Sequence, residues 1–94
     1  MTQEARDTKL RRLRMRSMRR GIKEMDIILI RFCDMELDGM DDATLAAYDT
    51  MLSENDQDLY QWVSGQAAPP KHLSALITTI RETALKSPFG QSHK

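Results

Sequence analysis

The chain carries a single cysteine, Cys33, so no disulfide can form within it, and a lone thiol fits a reducing compartment. Only four glycines are present, with neither a GxGxxG turn nor a GxxxxGK[ST] loop, so the usual backbone cradles for nucleotide phosphates are missing. Histidine is scarcer still. His72 stands beside Pro70-Lys71 at an expected helix start and His93 near the C-terminal end, and neither position suggests the rigid placement a nucleophile–histidine–acid triad requires. One cysteine and two distant histidines do not supply a zinc-ligand set either. The longest aliphatic run, Ile27 to Ile30, stops at Arg31, far short of the ~20 residues of a membrane span. No apolar signal segment opens the chain, and Glu4 and Asp7 argue against an organellar transit peptide. The expectation is a soluble, complete, non-enzymatic protein of the bacterial cytoplasm with no membrane insertion.

What is present is charge, unevenly placed. The 94 residues hold 14 Lys+Arg against 14 Asp+Glu, a formal net charge of zero. Residues 1–23 nevertheless carry nine bases and two acids, residues 24–64 one base and eleven acids, and the remainder four bases and one acid. Such segregation steers association or orients a partner and says little about fold. Length and a 40% hydrophobic content allow one domain with one modest core.

Apolar spacing of three and four runs throughout, and no stretch alternates as a strand would. Ile22, Met25, Leu29 and Phe32, thickened by Ile28 and Cys33, predict a helix over about 20–37, ended by Asp38-Gly39. Leu45, Tyr48 and Leu52 predict a second with Asp41 as N-cap. Leu59, Trp62 and Val63 predict a third between an Asn55 cap and Gly65. A fourth holds Leu73, Leu76, Ile77 and Ile80, with Pro70 in its first turn. Leu10, Leu13 and Met18 give a thin apolar edge to a further helix over about 4–17. The expected fold is an all-α bundle of four or five short helices over about 8–86, with a loose tail over about 88–94. Phe32, Tyr48 and Trp62 are expected in its core, and Cys33 as a buried small hydrophobe. Asp34, Glu36, Asp38, Gly39 and Asp42 follow a calcium-loop spacing, but Leu45 replaces the bidentate ligand that closes it, so a solvated acidic turn is expected.

Arg19-Arg20-Gly21-Ile22-Lys23-Glu24-Met25-Asp26 is physically odd. An Arg20–Glu24 pair at i,i+4 has the poorer orientation, and two arginines stand where a helix dipole disfavours cations. Gly21, costly inside a helix, lets another surface approach the backbone closely. These residues read as an interaction site or as a helix-entry turn.

Arg20-Gly21-Ile22-Lys23-Glu24 resembles the RGxxE signature of the succinate dehydrogenase flavinylation factors. The likeness continues through Met25 to Leu29 and Phe32, then Leu45, Tyr48 and Leu52. It extends to Asp56-Gln57-Asp58-Leu59-Tyr60-Gln61-Trp62, similar to that family's DxDLxxW stretch, and covers about residues 10–85. One departure is Met18, where members often carry an aromatic in a Ser-Trp-x-Arg-Gly run. The resemblance implies a five-helix bundle acting as an assembly chaperone. Its client is the flavoprotein subunit of succinate dehydrogenase, and often that of fumarate reductase, to which FAD becomes covalently attached. FAD would belong to the client, with no cofactor bound tightly here. By the same resemblance Arg20, Gly21 and Glu24 contact the client, Arg19 and Arg16 extend a positive margin, and Asp26 is a further candidate. The main alternative is a basic-patch nucleic-acid-binding or adaptor protein, since Arg11, Arg12, Arg14, Arg16, Arg19 and Arg20 form a dense cationic run. The acidic segment beside that run, and the want of interleaved aromatics, speak against nucleic acid.

Overall fold

Each stretch with helical apolar spacing forms a helix in the computed structural model, which describes residues 4–85. The tail expected over about 88–94 lies outside those residues. α1 spans Arg6–Arg16, α2 Lys23–Glu36, α3 Asp42–Met51, α4 Asp56–Ser64 and α5 Ser74–Ile80. Short 3₁₀ turns, Leu37–Gly39 and Lys71–Leu73, end α2 and lead into α5, and a π-helical turn, Arg81–Leu85, follows α5. No strand occurs among the described residues.

The caps follow the sequence. Asp41 accepts the Thr44 amide at 2.8 Å, and Asn55 accepts that of Gln57 at 2.8 Å. Each such cap contributes about 1 kcal/mol by satisfying a donor the helix leaves open. Gly65 ends α4 in the left-handed conformation, φ 87°, that its missing side chain permits. Asp42, part of the calcium-like spacing, is the first residue of the helix that Asp41 caps.

Two boundaries differ from expectation. α2 begins at Lys23 rather than near residue 20, because Ile22 is extended and side chains pin the amides just before it. Asp26 takes the Arg20 N–H at 2.8 Å and Asp56 takes the Gly21 N–H at 2.6 Å. Ile22 stays extended, and its carbonyl starts the helix by accepting from Met25 and Asp26. Arg20 and Glu24 consequently share no helix, and the expected i,i+4 pair does not form. Pro70 precedes the 3₁₀ turn before α5 instead of sitting in the first turn of α5.

The core is built around α2, which buries Met25, Ile28, Leu29, Phe32 and Cys33. Leu45, Tyr48, Met51 and Leu52 close on it from α3 and its end, Leu59 and Val63 from α4, and Leu76, Ile77 and Ile80 from α5. Phe32 and Tyr48 are fully buried with ring centroids 5.6 Å apart. Trp62 is only partly buried at the edge of this cluster. Met18 is 38% exposed rather than part of an apolar edge, since α1 stops two residues earlier.

α1 buries Leu13 fully and packs Leu10 partly against the core, and is otherwise tied down by polar contacts. Arg6 donates to the Asp38 and Met40 carbonyls, Arg14 pairs with Asp34 at 2.7 Å, and Arg12 and Arg16 share Asp49. After the helix, buried Ser17 donates its hydroxyl to the Leu13 carbonyl at 2.8 Å, so the Tyr48 hydroxyl donates to Ser17 at 2.6 Å. Burial holds that phenol far above its ordinary pKa, and it stays protonated.

The Arg12 hydrogen bond, helped by Arg16, holds the Asp49 carboxyl below the usual carboxylate range. Its stabilisation is thus fully present above the ordinary value of 3.8 and is lost as pH falls through the lower folded value. Urea titrations between about pH 5 and about pH 2 should show wild type losing more stability than Asp49→Asn. Parallel losses in the two proteins would contradict the Asp49 assignment.

Candidate functional site

α1 and α2 are joined by a short turn, residues 17–22, whose two ends are pinned. Ser17 is held in the core by Leu13 and Tyr48, and the Arg20 and Gly21 amides are held by Asp26 and Asp56. Between these anchors Arg19 adopts φ 55°, a left-handed conformation that costs a non-glycine residue about 1 kcal/mol.

The Arg20 side chain points inward, not to solvent. Its Nε and Nη2 donate to one Asp56 oxygen at 2.8 and 2.7 Å, while the other Asp56 oxygen receives the Gly21 amide. Nη1 donates to the Arg16 carbonyl at 2.8 Å and Nη2 to the Leu52 carbonyl at 3.1 Å. These carbonyls lie at the C-terminal ends of α1 and α3, where backbone acceptors lack helical partners and the dipole favours a cation. Asp56 opens α4, where the dipole favours an anion. Side-chain exposures of 11% for Arg20 and 18% for Asp56 place the pair in a setting where solvent screens it little.

The six candidate residues therefore separate by position. Arg20 and Asp26 brace the turn from within. Arg16 is half-buried against Asp49 and Ser53. Gly21 is exposed, yet a Cβ there would lie 3.1 Å from Asp56 Oδ2, so the surface that approaches its backbone belongs to this chain. Arg19 and Glu24 face solvent with no side-chain partner among the described residues. Sequence reading singled out neither Asp56 as the partner of Arg20 nor Asp49 as that of Arg12 and Arg16. Both partners lie more than 30 positions away, and the only signal was the segregated charge.

Fold and site together define a small all-helical bundle whose strained, charged turn is braced from behind by ionic contacts. The family profile Sdh5, described as flavinator of succinate dehydrogenase, matches residues 11–84, and the chain belongs to that family. Among its relatives, the FAD assembly factor SdhE of Legionella pneumophila (strain Lens) is 38% identical over 63 residues, 67% of this chain and 80% of that protein. The mitochondrial succinate dehydrogenase assembly factor 2 of Schizosaccharomyces pombe is 34% identical over 94 aligned positions, 90% of this chain and 68% of that protein. Its namesake in Meyerozyma guilliermondii is 44% identical over 63 residues, but this chain spans only about half (47%) of its length.

Removing Asp56 strands a little-exposed guanidinium and frees the Gly21 amide. Asp56→Ala should therefore lower the unfolding free energy by about 2–3 kcal/mol, read from urea denaturation. A loss under about 0.5 kcal/mol, typical of a solvated surface pair, would contradict the bracing role.

Proposed function

We propose that the chain is an assembly chaperone for the flavoprotein subunit of succinate dehydrogenase, and for that of fumarate reductase where present, in the host cytoplasm. It engages the subunit before the complex is complete and holds it in a state where a client histidine attaches to FAD. The groups that make the bond belong to the client. The chain itself is not an enzyme, and FAD remains with the subunit.

The observation that carries this reading is the family match over residues 11–84, which includes both Arg20 and Asp56. The braced turn supports it physically, because an element ordered before binding loses little entropy on docking. Glu24 and Arg19 offer the client one charge of each sign, and half-exposed Met18 adds an adaptable apolar contact in place of a rigid ring. Arg16, Arg20, Gly21 and Asp26 hold that surface in shape. The cationic run has little free charge for phosphates, since Arg12, Arg14, Arg16 and Arg20 are paired with acids of this chain.

The test is covalent flavin on the host flavoprotein subunit, read by in-gel fluorescence after denaturation. Deleting the gene should reduce the signal while subunit abundance holds. Wild type should restore it, and Glu24→Ala should restore it poorly while keeping wild-type helical content. Unchanged fluorescence in all strains would overturn the reading.

A further inference from the structure

We infer that Arg19 is the group with which this chain reads a carboxylate on its client, and that Asp26 is a positioning residue that holds it there. The inference rests on the chaperone reading above and assigns one residue a specific contact within it.

Among the described residues Arg19 is the one non-glycine at positive φ. Glycine and asparagine occupy that region readily, so a sequence shaped only by turn geometry is best served by one of them. Arginine adds nothing to the turn itself. Its backbone is constrained from both sides. Ser17 is locked by Leu13 and Tyr48, the Arg20 amide is fixed on Asp26, and the Gly21 amide is fixed on Asp56. Only Met18 and Arg19 pass between these anchors.

Its side chain also stands apart from its neighbours. Arg12, Arg14, Arg16 and Arg20 are each engaged by an acid of the chain, whereas Arg11 and Arg19 are exposed without such a partner among the described residues, and of these two only Arg19 stands in the braced turn. The carboxylates of the turn are already occupied, Asp26 by the Arg20 amide and Asp56 by Arg20 and Gly21. An unpaired guanidinium therefore projects from a backbone fixed before any partner arrives. Its planar fork of donors matches a carboxylate.

The experiment uses the full chain, the flavoprotein subunit purified with and without FAD, and titration calorimetry alongside thermal melts. Arg19→Asn keeps a side chain suited to the left-handed region but removes the charge. It should melt at or above the wild-type temperature and bind either form of the subunit about tenfold more weakly. Arg19→Lys should recover part of that loss. Asp26→Ala should weaken binding in the wild-type background and add nothing in the Arg19→Asn background, since it acts through Arg19. Wild-type affinity in Arg19→Asn, a lower melting temperature, no recovery with lysine, or an additive Asp26→Ala effect would each overturn the inference. A loss confined to the FAD-loaded subunit would point to the cofactor's phosphates and overturn the carboxylate assignment. Failure of the wild-type chain to bind either form would instead sink the chaperone reading, and the inference with it.

Discussion

The guanidinium of Arg20 joins three helix ends. It donates to carbonyls at the C-terminal ends of α1 and α3 and to the carboxylate that opens α4. Each contact pairs the cation with an electron-rich group, and the dipoles of all three helices favour the arrangement. The same carboxylate then turns its second oxygen to the Gly21 amide and so fixes the backbone that leads into α2. One side chain thereby settles where α1 ends, where α2 begins and how the exposed turn between them is shaped. Arginine is suited to this place, because a lysine ammonium has no planar fork to reach two carbonyls and a carboxylate together.

The rest of α1 depends on the same electrostatics at lower intensity. With one buried leucine, that helix gains little from apolar burial, and its attachment comes from arginines lying on the acidic segment that follows. Solvated pairs of this kind are weak singly. Sharing Asp49 between Arg12 and Arg16, with Ser17 and Tyr48 anchoring the end, makes the attachment a network. The unequal charge of the two segments is largely an intramolecular docking device, and Arg19 and Glu24 are left over at the turn.

Local features were legible in the sequence and distant ones were not. The helix-forming stretches, the Asp41 and Asn55 caps and the Gly65 terminus follow from spacing and backbone chemistry within a few residues. Burial of Phe32, Tyr48 and Cys33 followed from their place on apolar stripes. The start of α2 was misread because periodicity at Ile22 and Met25 carried the helix backwards through residues whose amides are bound by side chains. One of those side chains, Asp56, lies 35 positions along the chain. The oddness of Arg20-Gly21 was visible, and it read either as an interaction site or as a helix-entry turn. The structure shows an approaching carboxylate of the same chain, a tertiary contact that no short-range pattern encodes.

For the chaperone reading, this division of labour means that the motif's most conspicuous residues shape a surface while their neighbours form it. Everything then turns on whether the turn is fixed before a client arrives. The most direct measurement is amide hydrogen exchange at Gly21 in the free protein, followed by NMR. Gly21 is exposed, so slow exchange there can come only from its bond to Asp56. The expected result is exchange well below the rate of an unstructured glycine amide, with protection lost in Asp56→Ala. Unprotected exchange in the wild-type chain would contradict the account.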